Sequence, residues 1–274
     1  MKILLTNDDG YFAEGIQSLY KVLSKEHQVK IAAPMSNKSG YSASFSFFRG
    51  HDFKQFGQDI FALEASPVDC VMASIKGKWL SYSDGSFMPD LLISGINHGA
   101  NLGTDIIYSG TVGAARQGAL YGIPSFALSL EKLDWSSPEP YCFDEFSAFI
   151  LKNLKTFLEI LPGKKMDFPD CQEGLLKNPL EYFLNINAPS VKKYKGLKVA
   201  SVSHRLYEDE YFLKENEDGS KTSFCKACSS IKTYGGEGCD FEIVKSGYVA
   251  LSLLKTSPEA VMDFDFNALS NLSF

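Results

Sequence analysis

The feature that most constrains this chain is a set of short apolar runs spaced along its first half. They are Ile3-Leu4-Leu5, QVKIAA at 28–33, DLLIS at 90–94 and IPSFALSL at 123–130. A weaker run, Phe61–Leu63, lies among them. Between these runs the apolar period is helical, over Glu14–Ser24, over Pro67–Gly77 with Val68, Val71, Met72 and Ile75 on one face, and over Thr111–Tyr121, a helix of small residues. Buried strands alternating with helices predict an α/β protein with a mostly parallel sheet and helices on both faces.

A further helix is expected at Asp144–Leu161 and a strand at Phe183–Ile186. After Pro189 the texture changes: residues 190 to 245 are more charged and carry the turn-rich strings ENEDGSK and YGGEGCD between short strand-like pieces. A strand at Gly247–Leu254 and a last helix over 258–270 complete the reading. The expected division is a core over 1–189 and a C-terminal extension over 190–274 containing a β-hairpin.

The net charge of −6 opposes a general nucleic-acid binder, which carries a basic face, so no stable nucleic-acid partner is expected. No run approaches the roughly 18 apolar residues of a membrane span, and the N-terminal run is too short for a secretory signal. Six cysteines in 274 residues do not suggest a disulfide scaffold. The expectation is a cytoplasmic protein with reduced thiols and no membrane partner.

The strands of a parallel sheet share one C-terminal edge, where ligands bind. After the first strand come Asn7, Asp8, Asp9 and Gly10; after the second, Ser36-Asn37-Lys38-Ser39-Gly40; after DLLIS, Gly95, Asn97, His98, Gly99, Asn101 and Gly103. Carboxylate, hydroxyl and amide oxygens suit a hard dication such as magnesium or manganese, with calcium as an alternative, rather than zinc. A dication would also offset the repulsion between Asp8 and Asp9. The loop continues into Ser109-Gly110-Thr111 at a helix start, where free amides, two hydroxyls and the helix dipole form an anion cradle. Cys225, Cys228 and Cys239 are three thiols with His204 the only histidine near them in sequence, short of two close zinc-ligand pairs.

The strings ILLTNDDG, PDLLISGINHGANLGTDIIYSGTVGAA and CDFEIVKSGYVALSLL closely resemble the SurE survival-protein family, and ASPVDCV at 65–71 and LNINAP at 184–189 extend the resemblance over nearly the whole chain. The resemblance implies a Rossmann-like core with a C-terminal oligomerisation extension exchanged between subunits, in a homodimer or homotetramer. It implies metal-dependent hydrolysis of nucleoside 5′-monophosphates, and in some members of 3′-monophosphates and short polyphosphate. It places the metal ligands at Asp8, Asp9, Ser39 and Asn97, and the phosphate contacts at Ser109, Gly110 and Thr111. The chain departs from the family at Gln117-Gly118, where Glu-Gly is frequent, and at TSFCKACSS, where aromatic residues are frequent.

The chemistry expected is attack of water on a phosphomonoester, with Asp8 and Asp9 as catalytic residues. No serine or cysteine sits beside a general base as a covalent nucleophile. His98 and Asn101 are auxiliary candidates, His98 as the acid for the leaving group. The alternative is a non-catalytic nucleotide- or metal-binding sensor, which would bind nucleotide without turnover.

Overall fold

In the computed structural model, residues 1–77, 80, 87–166, 178–226 and 230–258 are described. The expected helix over 258–270 and Cys228 lie outside the described residues, apart from Pro258.

In chain order the strands are β1 (Lys2–Thr6), β2 (Gln28–Pro34), β3 (Phe53–Phe56), β4 (Ile60–Leu63), β5 (Leu91–His98), β6 (Ser125–Glu131), β7 (Tyr182–Pro189), β8 (Leu197–Val199), β9 (His204–Tyr207), β10 (Glu210–Glu215), β11 (Lys221–Lys226), β12 (Ile231–Tyr234) and β13 (Val249–Lys255). The helices are α1 (Glu14–Leu23), α2 (Pro67–Lys76), α3 (Gly110–Leu120), α4 (Phe143–Ile160) and α5 (Asp240–Lys245), with a 3-10 turn at Gly103–Ile107.

One nine-stranded sheet runs in the order β3-β4-β2-β1-β5-β6-β7-β13-β8. From β4 to β7 every pairing is parallel, whereas β3 pairs antiparallel with β4 and β13 antiparallel with β7, and β8 closes the sheet parallel to β13. The fold is thus α/β, with helices on both faces of a mostly parallel sheet. Continuous apolar strands are what such a sheet needs, because successive side chains enter opposite cores. Ile3 and Leu5 pack in a cluster with Ile16 and Leu19 of α1 and Phe146 and Ile150 of α4. Leu4 packs on the other face with Val71 and Ile75 of α2 and Ala114 of α3. α2 starts in a capping box, Ser66 accepting from the Asp69 amide while Asp69 reaches back to the Ser66 amide.

The chain leaves β1 for β2 on one side, and β5 pairs with β1 on the other. The loop after β1 therefore stands at the topological switch point. β5 is longer than DLLIS and runs, through an irregularity between Ser94 and Asn97, out to His98. α1 begins hard against that irregularity, where a Cβ on Gly15 would meet the Ile96 carbonyl oxygen at 2.0 Å. Only glycine admits this contact, which brings the NDDG and SGIN loops side by side.

The C-terminal region contributes β8 and β13 to the central sheet, while β9 pairs with β12 and β10 with β11 in two antiparallel ribbons outside it. Every residue of β10 and β11 is exposed. No helix of the described residues is long and apolar enough to cross a membrane.

Candidate active site

Asn7 shapes the first loop: its Nδ2 donates to the Gly10 carbonyl at 2.8 Å and its Oδ1 accepts the Gly10 amide at 3.1 Å. The closed turn sends the next two carboxylates to different surroundings. Asp8 is buried, 3% exposed, against the start of α3. Its Oδ1 accepts the Thr111 hydroxyl at 2.6 Å and its Oδ2 the Thr111 amide at 3.2 Å. Burial pushes the Asp8 carboxyl up to about 6 against the pull of the Thr111 hydroxyl, and the Asp9 charge pushes it the same way.

Asp9 faces the third loop. Its Oδ2 accepts the His98 amide at 3.1 Å and lies 3.2 Å from His98 Nδ1, and Asn37 Nδ2 donates to its Oδ1 at 3.4 Å. The bond to Asp9 raises the His98 pKa, with burial opposing it. The His98 ring meets both Tyr141 and Phe143 edge to face, and those two rings stack on each other. Asn97 donates Nδ2 to the Gly99 carbonyl at 2.8 Å, which fixes the amide's orientation and leaves Oδ1 without a bond to a described residue. The second loop is tied in by the Lys38 amide, which donates to the Asp8 carbonyl at 2.7 Å, and by the Ser39 amide, which donates to Asn37 Oδ1 at 2.9 Å. These bonds leave the Ser39 hydroxyl without a bond to a described residue.

Asp8, Ser39, Asn97, His98, Asn101 and Ser109 line one pocket of about 290 Å³. A larger cavity of about 1100 Å³ lies between α1 and the start of α4, but none of the sequence-predicted site residues lines it. The smaller pocket is the chemically equipped one. Asn101 is a structural pin as well: its amide donates to Asn187 Oδ1, its Nδ2 to Ser129, and its carbonyl accepts from Asn185 and Asn187.

The Ser109-Gly110-Thr111 turn differs from a simple anion cradle. Ser109 caps α3 by accepting the Val112 amide at 3.1 Å and reaches the pocket. Thr111 is fully buried and commits both its amide and its hydroxyl to Asp8. Gly110 is the point of closest approach, because a Cβ there would stand 2.9 Å from Asp8 Cβ and 3.0 Å from Asp8 Oδ2.

Sequence reasoning missed Asp105, Tyr108 and Tyr207, which also line the pocket. Asp105 sits in the 3-10 turn, and its carbonyl accepts the amides of Tyr108 and Ser109. Its carboxylate pairs with Arg205 and accepts the Tyr207 hydroxyl at 2.7 Å. The only signal was that Asp105 belongs to the same long loop as Asn97; nothing in the turn-rich stretch pointed to Arg205 or Tyr207. Among the described residues no group of three or more His, Cys, Asp and Glu is placed to hold a metal. Cys225 is exposed on β11, and Cys239 is buried just before α5.

Residues 3–209 match the family model described as Survival protein SurE. The chain belongs to the SurE family. A SurE relative from Fervidobacterium nodosum, named 5′-nucleotidase SurE, is 34% identical over 275 residues, covering 97% of this chain and 96% of the relative. One of the same name from Campylobacter fetus subsp. fetus is 36% identical over 262 residues, covering 93% of each. The crystal structure of the SurE protein from Aquifex aeolicus aligns with a TM-score of 0.70 at 28% identity, covering 99% of this chain and 98% of that one.

Proposed function

We propose that this SurE-family chain is a metal-dependent phosphomonoesterase that hydrolyses nucleoside 5′-monophosphates to nucleoside and phosphate. The relatives' name, 5′-nucleotidase SurE, supports the substrate class. The observation that carries the metal is Asp8, a buried carboxylate next to a second one whose charge pushes its pKa up further. Such a group is costly to bury charged. A hard dication relieves that cost, and Ser39 Oγ and Asn97 Oδ1, in the lining of the same pocket, are oxygens without a bond to a described residue.

Asp8, Asp9, Ser39 and Asn97 would hold the ion, magnesium or manganese, with calcium as the alternative. When bound it supplies Lewis acidity toward the phosphoryl oxygens and lowers the pKa of an attacking water. The chain's own residues do the rest. Thr111 fixes Asp8 in its ionised orientation. Ser109 and the positive end of α3 offer the phosphate a polar wall. His98 lines the same pocket with Nδ1 on Asp9, and its second nitrogen would give a proton to the leaving alkoxide.

The exposed β10–β11 ribbon supports a homodimer or homotetramer built through the C-terminal extension. Phosphate release from AMP with added manganese, with and without EDTA, tests the proposal. Metal-dependent release is expected. AMP binding without release would instead mark a sensor, and 3′-AMP and short polyphosphate measured in the same assay define the breadth.

A further inference from the structure

The pocket's lining includes the polar groups of Asp8, Ser39, Asn97 and Ser109. A phosphate and its metal need nothing more. Yet the pocket is also lined by two phenol rings, Tyr108 and Tyr207. Tyr207 arrives from β9, outside the central sheet, and its placement is heavily determined. Its hydroxyl donates to Asp105 Oδ1 at 2.7 Å, and the Arg205 guanidinium, paired with the same carboxylate, lies 5.7 Å from its ring centroid. The Arg205 and Asp105 side chains are only 10% and 13% exposed. Thr104 clasps the strand, its hydroxyl donating to the Arg205 carbonyl at 2.7 Å and accepting the Arg205 amide at 3.1 Å.

The polar tip of Tyr207 is thus bound by Asp105, while the residue remains 43% exposed and lines the pocket. A held aromatic ring with solvent-facing surface, beside a phosphate-sized polar site, matches a substrate whose far end is a flat heterocycle. We propose that Tyr207 is a specificity-determining residue that receives the nucleobase of the substrate by stacking. The assignment rests on the phosphomonoesterase function proposed above. Every base has a π-face, so such a contact tolerates all nucleobases and discriminates against leaving groups that carry none.

The experiment uses the full chain with manganese and compares kcat/KM for AMP and for glycerol 2-phosphate, whose leaving group has no base. Tyr207→Leu keeps apolar bulk without a π-face, and Tyr207→Phe keeps the ring without the bond to Asp105. The AMP-to-glycerol-phosphate ratio is expected to fall roughly tenfold or more in Tyr207→Leu and to be largely kept in Tyr207→Phe. Adenosine binding, followed by calorimetry, should weaken in parallel. Equal losses for both substrates, or a preference lost in Tyr207→Phe as well, would show that the residue acts only by bracing Asp105 and would overturn the assignment. An unchanged ratio would overturn it too, while leaving the hydrolase proposal standing. If the wild type releases phosphate from neither substrate but binds adenosine in a Tyr207-dependent way, the hydrolase proposal fails and the base contact stands. Wild-type protein that binds no adenosine refutes the base contact.

Discussion

The Thr111 hydroxyl donates to Asp8 Oδ1 at 2.6 Å across 103 residues of sequence, and the Thr111 amide holds the other carboxylate oxygen at 3.2 Å. The first turn of α3 is therefore a clamp on a metal-ligand candidate. An outer partner of this kind orients a ligand and keeps it basic or acidic as the ion requires.

Thr111→Val removes that donor at nearly constant volume, whereas Thr111→Ser keeps it. A hydrogen bond to a buried charge is worth about 1.5–3 kcal/mol. The manganese concentration for half-maximal AMP hydrolysis should rise by one to two orders of magnitude in Thr111→Val and by much less in Thr111→Ser. A metal titration of both variants decides it. A fall in kcat with an unchanged metal requirement would return Thr111 to the phosphate.

The Asp8 carboxyl also sets a pH dependence of stability in metal-free protein. Its pKa is about 6 in the fold against 3.8 as the reference, so the folded state holds the proton more tightly. Stability from this group is fully present below about pH 4 and is lost as pH rises through about 6. The loss amounts to ~3 kcal/mol at most, about two pKa units at 1.36 kcal/mol each. Denaturant unfolding in EDTA should show this decline in the wild type and a flatter profile in Asp8→Asn. Parallel profiles would mean that Asp8 is not the titrating group.

Much of this site was legible because its parts are local strings. Asp8 and Asp9 end an apolar run, Asn97 follows another, and the parallel sheet places both ends on one edge. The destination of Thr111 was not legible, since a hydroxyl at a helix start serves an anion or a carboxylate equally well until the fold brings Asp8 to it. β3 escaped notice because all four of its residues are exposed and show no alternation. The direction of β13 escaped for the opposite reason: an apolar run such as GYVALSLL announces burial but carries no sense of parallel or antiparallel pairing. Tyr207 was hidden because its value depends on Asp105 and Arg205, one of them 102 residues away.

Gly110→Ala should damage the site without a polar change. The new Cβ would stand 2.9 Å from Asp8 Cβ and 3.2 Å from the Pro67 ring, neither of which can withdraw freely. Overpacking of this kind costs typically 1–3 kcal/mol. A lowered melting temperature together with a raised metal requirement is expected; wild-type behaviour in both would show that α3 can shift away from β1.

Asp9→Asn separates charge from shape. The amide can still accept the His98 backbone N–H, but it no longer carries the charge that raises the His98 pKa or attracts a dication. AMP hydrolysis should fall further than the roughly 10–100-fold typical of outer partners of metal ligands, while far-UV circular dichroism is unchanged. Retained turnover at saturating manganese would remove Asp9 from the ligand set.

The C-terminal ribbon makes the remaining prediction. β10 and β11 pair in register from Glu210↔Lys226 to Glu215↔Lys221, and every residue of both strands is exposed. Phe212 stacks on Phe224 at 5.7 Å, yet both rings and the side chains of Tyr211 and Leu213 face solvent. A two-stranded ribbon is marginal alone, and exposed aromatic clusters mark interfaces. Its root is different: Asp240 is fully buried and accepts the amides of Gly103 at 2.7 Å and Ser203 at 3.1 Å, so the base of the extension belongs to the core. Replacing residues 210–226 with a short turn should therefore leave a folded chain and remove its means of association. Light scattering should give a multimeric mass for the intact protein and a single-chain mass for the shortened one. An intact chain that is monomeric at micromolar concentration would refute the interface, and a shortened chain that still assembles would move it elsewhere on the molecule.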